Sequence, residues 1–161
     1  MNSEYRIGLG YDIHRTAPGR PLVLANVRID HPQGLVGHSD ADVVLHALID
    51  ALTGAAGLPD VGELFPNTDP AYRDIDSAVL LARTMAELAK TPWTIGNVDV
   101  VLIAEAPRLS AHKPALRRRL AALLNIPVDN VNLKGKTNEQ MDAIGQQKAI
   151  ACYCVVLLRR P

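Results

Sequence analysis

The sequence predicts an α+β fold of two layers, a sheet of about four long strands with helices packed on one face. Three observations carry this. Strand-like periodicity recurs at residues 5–14, 94–107, 131–137 and 149–158. Three stretches with helical periodicity lie between these strands. The last strand, AIACYCVVLL, is apolar at nearly every position, so it needs both faces buried. Three helices cover one face of such a sheet, and too little chain remains for the other. A second subunit is the expected cover.

Residues 5–14 alternate loosely and read as a strand. PLVLANVRIDH reads as a hairpin, with Leu22 and Leu24 facing Val27 and Ile29 across a turn near Asn26. HSDADVVLHALIDALTGAAG is the clearest helix. Ser39 is its expected N-cap and Asp42 the capping-box partner. Asp40 and Asp42 suit the positive end of the helix dipole. Val44, Leu45, Leu48, Ile49 and Leu52 supply apolar faces, and Gly54 or Gly57 ends the helix. GLPDVGELFPNTDP is rich in turn-forming residues and reads as a loop.

Ser77 is placed to cap a second helix running to about Lys90, with Leu81, Met85 and Leu88 on one stripe. TIGNVDVVLIAEAP is a strand. Pro114 is placed like an N1 proline opening a third helix, with Leu116, Leu120 and Leu123 on one face and Asn125 and Pro127 at its end. Arg117–Arg119 is expected to be a solvated face. VNLKGKT is a short strand before the final one.

With 161 residues, no repeats, no low-complexity tract and no linker, the expectation is a single domain, 1–161. Seventeen basic residues balance seventeen acidic ones, so nothing argues for a nucleic-acid partner or an acidic membrane. The N-terminus MNSEYRIG has no apolar signal core, and no apolar run is long enough to span a bilayer. Cys152 and Cys154 are one residue apart, and a bridge between them would be strained. They read as small buried apolar side chains in a reducing compartment, and a cytoplasmic location is expected.

In GYDIHR, Asp12 and His14 stand at i and i+2 of a strand and share a face. Alone, this is a weak signal that a hydrogen-bonded surface pair also explains. His38, Asp42, His46 and Asp50 are spaced four apart, and the last three form a polar stripe on the first helix. His46 therefore has two readings. It is a satisfied core histidine, or a metal ligand whose second nitrogen is held by a carboxylate. Asp12, His14 and His46 together would leave a coordination position open for substrate; zinc suits such a set, and iron(II) uses it too.

Several pieces suit a phosphorylated ligand. HSD sets an imidazole and a hydroxyl beside a helix N-terminus whose N–H groups are expected to be free. Gly62 allows close backbone approach. KGKTNE brings Lys134, Lys136, the Thr137 hydroxyl and Glu139 into one segment, fit for phosphate oxygens and a magnesium ion.

The stretches GYDIHR, GLVGHSDADVVLHALIDALTGAAGLPDVGELFPNTDP, GNVDVVLIAEAPRL and VNLKGKTNE, in this order, resemble the 2-C-methyl-D-erythritol 2,4-cyclodiphosphate synthase family from about Arg6 to Leu158. The resemblance implies a mixed four-stranded sheet with helices on one face, its other face packed in the core of a homotrimer, and active sites between subunits. It implies cyclisation of 4-diphosphocytidyl-2-C-methyl-D-erythritol 2-phosphate with loss of CMP, in the non-mevalonate isoprenoid pathway. Zn²⁺ would sit on Asp12, His14 and His46, and a second ion, Mg²⁺ or Mn²⁺, near Glu139. His38 and Thr137 match positions that stabilise the transition state, and His38 and Ser39 would contact the methylerythritol phosphate. Asp60, Val61 and Gly62, helped by Phe65, Pro66, Asn67, Thr68 and Asp69, would hold the methylerythritol hydroxyls. Ala104, Pro107, Arg108, Leu109 and Ser110, with Lys136 and Thr137, would hold cytidine and its phosphates from the neighbouring subunit.

This chain departs from the family pattern at several positions. Asn67 stands where Asp is frequent, and Lys136 where many members have threonine. Ala143 and Gln146 replace an aromatic and an arginine that help some members bind an isoprenoid diphosphate in the trimer cavity. Geranyl diphosphate is therefore expected to bind weakly or not at all.

Overall fold

The structure is a computed structural model that describes residues 4–66, 68–72 and 75–160. The long first strand β1 (Glu4–Pro18) pairs antiparallel with the last strand β7 (Ala149–Arg160), in register from Glu4 opposite Arg160 to Arg15 opposite Ala149. The far edge of β7 pairs antiparallel with β5 (Thr94–Ile103), and β6 (Val131–Lys136) lies parallel to β5. A short strand β4 (Gln33–Val36) joins the end of β1. The sheet is thus mixed, in the order β4-β1-β7-β5-β6, and has five strands where four were expected. The extra strand is four residues with no alternation, too short for periodicity to reveal.

The predicted hairpin is β2 (Leu22–Leu24) and β3 (Val27–Ile29), with Leu22 opposite Ile29 and Leu24 opposite Val27. Ala25 and Asn26 turn it with φ of 52° and 57°, the left-handed pair of a tight hairpin turn. An alanine is costly there. The turn's backbone N–H groups offset that cost by donating to the Asp42 carboxylate, at 2.9 Å from Ala25 and 2.6 Å from Asn26.

The helices are α1 (Val43–Ala56), the single turn α2 (Val61–Leu64), α3 (Ser77–Leu88), α4 (Lys113–Leu124) and the single turn α5 (Asp142–Gly145). Two expected caps are corrected. Asp42, not Ser39, caps α1, accepting from Val44 and Leu45 N–H, and α1 starts later than expected because Ala41 is left-handed at φ 59°. Asp76, not Ser77, caps α3. Gly57, left-handed, ends α1, and Asn125 ends α4 in the same conformation. Pro114 falls in the first turn of α4, after Lys113. Arg118 and Arg119 are exposed and Arg117 half-buried, as a solvated face would be, while Arg117 also donates to the Val131 and Val128 carbonyls and Arg119 holds the Asn26 side chain.

The way α1 meets β1 positions the rest. Even-numbered residues of β1 from Gly8 to His14 point toward the helix. A Cβ on Gly8 would lie 1.9 Å from the Ala51 carbonyl oxygen, and one on Gly10 would lie 1.8 Å from that of Ala47. Helix and strand therefore touch backbone to backbone, which only glycine allows. On the covered face of β7, Cys152 and Cys154 are buried and unbridged. Burial pushes the Cys154 thiol up to about 12 and the Cys152 thiol up as well, so both are inert at neutral pH.

The odd-numbered residues of β1 face away from the helices. Tyr5, Ile7, Leu9, Tyr11 and Ile13 form an exposed apolar row beside Tyr153 and Val155 of β7, with Ile7 73% and Leu9 64% exposed. A contiguous apolar face of this kind marks an interaction surface. Among the described residues no helix is long and apolar enough to cross a membrane.

Candidate active site

Asp12 and His14, two apart on β1, project toward α1, and the close approach at Gly10 brings His46 to meet them. Asp12 Oδ2, His14 Nε2 and His46 Nδ1 form a triangle with edges of 2.9 Å (Asp12–His14), 3.1 Å (Asp12–His46) and 3.2 Å (His14–His46). Four ligands at about 2.0–2.1 Å around a tetrahedral ion stand about 3.3 Å apart, so the triangle has the size of one face of such a site. His14 Nδ1–H donates to the Val36 carbonyl at 3.1 Å, which leaves Nε2 bare toward the centre. One carboxylate oxygen and at least one bare imidazole nitrogen thus converge, a donor set suited to a divalent cation. Burial works against the Asp12 charge, but the His14 and His46 rings outweigh it whenever a proton sits on the nitrogen facing the carboxylate, and hold the carboxyl well below its usual range. Burial likewise disfavours a charged His46, and Asp12 outweighs that too, raising the imidazole above its ordinary value.

The carboxylates expected beside His46 on its own helix are occupied elsewhere. Asp42 binds four backbone N–H groups, and Asp50 accepts from Val61 N–H at 2.9 Å. The second nitrogen of His46 instead faces two hydroxyls, Ser77 Oγ at 3.0 Å and Ser39 Oγ at 3.1 Å. Nor is the start of α1 free for an anion, since Asp42 takes the N–H groups of Val44 and Leu45.

The triangle opens into a cleft of about 190 Å³. Of the expected residues, Asp12, His14, His38, Ser39, His46, Val61, Gly62 and Phe65 line it, and Tyr72 and Leu80 complete it. Asp60 caps α2 through Glu63 N–H, and Asp69 accepts from Ala71 N–H. Pro66, Thr68 and Asp69 are exposed and do not line the cleft. Asn67 lies outside the described residues.

The other expected residues gather elsewhere. Ala104, Pro107, Arg108, Leu109, Ser110, Lys136 and Thr137 line a second cleft of about 210 Å³, joined by Glu105, Lys113 and Gly135. Thr137 Oγ1 donates to Glu139 at 2.9 Å, and Asn138 N–H donates to Glu105 at 3.1 Å, tying this loop together. Lys134 does not serve the cleft; it pairs with Asp99 at 2.5 Å.

The two clefts sit at opposite edges of the sheet and at one level. Ile13 pairs with Ala151, Ala151 with Ile103, and Ile103 with Lys136. Three strand spacings separate the two, roughly 14 Å. Several contributors had no signal in the sequence. Gly8 and Gly10 were read only as strand positions. Ser77 was read as a cap, because an Asp-Ser pair before a helix leaves open which residue caps it. Glu105 falls inside the stretch AEAPRLS expected at the cytidine, and Lys113 belongs to no pattern by itself.

Comparison with known proteins gives the family. The family model described as YgbB family matches residues 5–159. The 2-C-methyl-D-erythritol 2,4-cyclodiphosphate synthase of Thermosynechococcus vestitus is 48% identical over 156 residues, 97% of each chain. The structure of the bifunctional IspDF from Campylobacter jejuni superposes with a TM-score of 0.95 at 35% identity, over 99% of this chain and 43% of that one. The CDP complex of Plasmodium falciparum IspF superposes with a TM-score of 0.84 at 35% identity, over 96% and 95%. With its fold and nearly its whole length matched, the chain belongs to the YgbB family, alongside the 2-C-methyl-D-erythritol 2,4-cyclodiphosphate synthases.

Proposed function

We propose that this chain, acting as one domain over 1–161, converts 4-diphosphocytidyl-2-C-methyl-D-erythritol 2-phosphate to 2-C-methyl-D-erythritol 2,4-cyclodiphosphate and CMP in the non-mevalonate isoprenoid pathway. The observation that carries the proposal is the Asp12–His14–His46 triangle opening into a cleft, in a chain close to synthases of that name.

The substrate supplies its own nucleophile. An oxygen of the 2-phosphate forms a bond to the β-phosphorus, the bond from that phosphorus to the bridging oxygen breaks, and CMP leaves with the electron pair. The protein's task is therefore positioning and charge stabilisation. Asp12, His14 and His46 would hold Zn²⁺, and Glu139 a Mg²⁺ or Mn²⁺; bound there, the ions supply Lewis-acid stabilisation of the phosphate charge. His38 and Ser39, on the loop before α1, offer hydrogen bonds to the 2-phosphate end. Val61, Gly62 and Phe65 form the wall for the methylerythritol. Asp60, which caps α2 beside this wall through one carboxylate oxygen, keeps the other for the methylerythritol hydroxyls. Arg108 and Lys136 place positive charge for the nucleotide phosphates, and Thr137 a hydroxyl near the reacting bond. Ala104, Pro107, Leu109 and Ser110 shape the cytidine site.

The two clefts are too far apart to act on one β-phosphorus within a chain. A homotrimer, formed head to tail, sets the β6 edge of one subunit against the β1 edge of the next and buries the apolar β1–β7 face. A reducing cytoplasm suits the two free thiols.

A phosphorus-31 NMR time course on this substrate tests the reading, with Zn²⁺ and Mg²⁺ present and again after chelation. The expected result is loss of substrate with CMP and cyclic diphosphate appearing together, abolished by the chelator. Inorganic phosphate instead would make the chain a hydrolase, and no turnover by zinc-loaded protein would refute catalysis.

A further inference from the structure

The protons around His46 can be placed from its neighbours. Ser77, the first residue of α3, is wholly buried. Its N–H donates to Asp40 Oδ2 at 3.0 Å, and its hydroxyl donates to Asp40 Oδ1. A carboxylate only accepts, so the Ser77 proton points away from His46. What faces His46 Nε2 at 3.0 Å is then an oxygen lone pair. Ser39 Oγ, which accepts from Ala41 N–H at 3.2 Å, stands at 3.1 Å on the same side. These two oxygens place the hydrogen on Nε2 and leave Nδ1 bare, against the pull of Asp12 Oδ2, which stands 3.1 Å from Nδ1. The opposite tautomer would set lone pair against lone pair at Ser77 and aim an N–H into the ligand triangle. Asp40 is itself held, its N–H donating to the Ile75 carbonyl at 3.2 Å and its Oδ1 accepting from Asp42 N–H at 3.1 Å.

We infer that Asp40 and Ser77 are positioning residues that lock His46 in its Nε2–H tautomer through a carboxylate–hydroxyl–imidazole chain and so prepare Nδ1 as a metal ligand. The inference deepens the metal reading above and rests on it for its consequence, though not for the tautomer itself. It also accounts for a carboxylate that touches neither the cleft nor a ligand atom. The sequence suggested a direct carboxylate partner on the same helix. The fold instead uses a carboxylate from the loop before α1, acting through a hydroxyl from α3, so the second nitrogen ties three segments to one ring.

The test uses the full chain with nitrogen-15-labelled histidine, metal-free and at alkaline pH, where the ring is neutral. The wild-type His46 signals are expected to report Nε2–H. In Ser77→Ala the backbone N–H still reaches Asp40, so α3 keeps its start, but the fixed acceptor is gone and Ser39 can rotate to donate. The expected result is a mixed tautomer and a Zn²⁺ affinity, measured by chelator competition, lower by about 10- to 100-fold. Asp40→Asn is the second variant, whose amide can donate to the Ser77 oxygen and free that hydroxyl to point at Nε2. The same signals should move the same way, and this variant decides the matter if Ser77→Ala does not fold. A wild-type Nδ1–H tautomer overturns the inference, as do variants with an unchanged tautomer and affinity. Wild-type protein that shows Nε2–H, loses it in the variants and yet takes up no Zn²⁺ supports the chain of hydrogen bonds and refutes the metal reading.

Discussion

Leu9→Glu tests whether the apolar sheet face is a subunit interface that the active site requires. Leu9 sits mid-row between Ile7 and Tyr11, opposite Val155 of β7. The exposures of Tyr5, Ile7, Leu9, Tyr11, Ile13, Tyr153 and Val155 add up to about three and two-thirds fully exposed side chains. At roughly 1.5–3 kcal/mol for each large apolar side chain fully buried, covering the face yields about 5–11 kcal/mol per subunit before association costs. Glutamate at position 9 forfeits roughly 1–2 kcal/mol of this and adds several more for an unpaired carboxylate in an apolar contact. A loss of about 4 kcal/mol weakens association about a thousandfold. Sedimentation velocity at micromolar chain, with zinc content and CMP release measured on the same sample, reads the result. The variant is expected to sediment as a monomer and keep its zinc, because Asp12, His14 and His46 belong to one chain. It should release no CMP, because in the proposed trimer the Arg108–Lys136 cleft comes from a neighbour. A Leu9→Glu chain that associates like wild type, or a monomer with full activity, refutes the reasoning.

Gly10→Ala sets a Cβ 1.8 Å from the Ala47 carbonyl oxygen, so α1 must move away. The expected loss is at least about 1–3 kcal/mol in thermal unfolding, together with weaker zinc binding, since His46 precedes Ala47 on the displaced helix. Unchanged zinc affinity would separate the glycine from the site. Asp42→Ala leaves the N–H groups of Ala25, Asn26, Val44 and Leu45 without their acceptor. At roughly 1–3 kcal/mol for each buried orphan, offset where water reaches one, the expected cost in urea unfolding is on the order of 5 kcal/mol. A cost below about 1 kcal/mol would mean those donors find other partners. Zinc retention should fall with acidification. Asp12 raises the pKa of His46 above its ordinary value, so protons compete for Nδ1 from above pH ~6.5 downward, by about tenfold per unit once the ring is mostly charged. Equilibrium zinc titrations that are flat between about pH 8 and 5 would exclude His46 as a ligand.

What the sequence disclosed and what it hid divide along a physical line. The Asp12–His14 pair and its orientation follow from the two-residue period of a strand, and the helical face carrying His46 follows from apolar spacing, so both are local. The caps were misassigned because capping is decided by what else needs an acceptor. Asp42 caps α1 since the hairpin turn at Ala25 and Asn26 delivers two more N–H groups to the same carboxylate. Ser77 lost its capping role to Asp76 because its hydroxyl is bonded to Asp40. The polar stripe Asp42–His46–Asp50 was real as spacing and misleading as chemistry, since each carboxylate serves a different loop. Gly8 and Gly10 look like gaps in an alternating strand until the helix is laid over them.

The sheet itself explains why one chain holds two incomplete clefts. Both lie at the level of Ile13 and Lys136, and the strands between them, β7 and β5, are bonded along their length, so the distance cannot close by hinge or loop motion. In the proposed trimer, a ligand reaching from the Asp12 triangle to Arg108 meets those groups on different chains. The exposed apolar row belongs to β1 and β7, on the β1 side of the same sheet. In the trimer proposed above, the head-to-tail contact that buries this row would also bring a neighbour's β6 edge toward the triangle. On this geometry, hiding the apolar face and completing the site are one event. Activity should then track the associated fraction as concentration falls, while zinc occupancy should not.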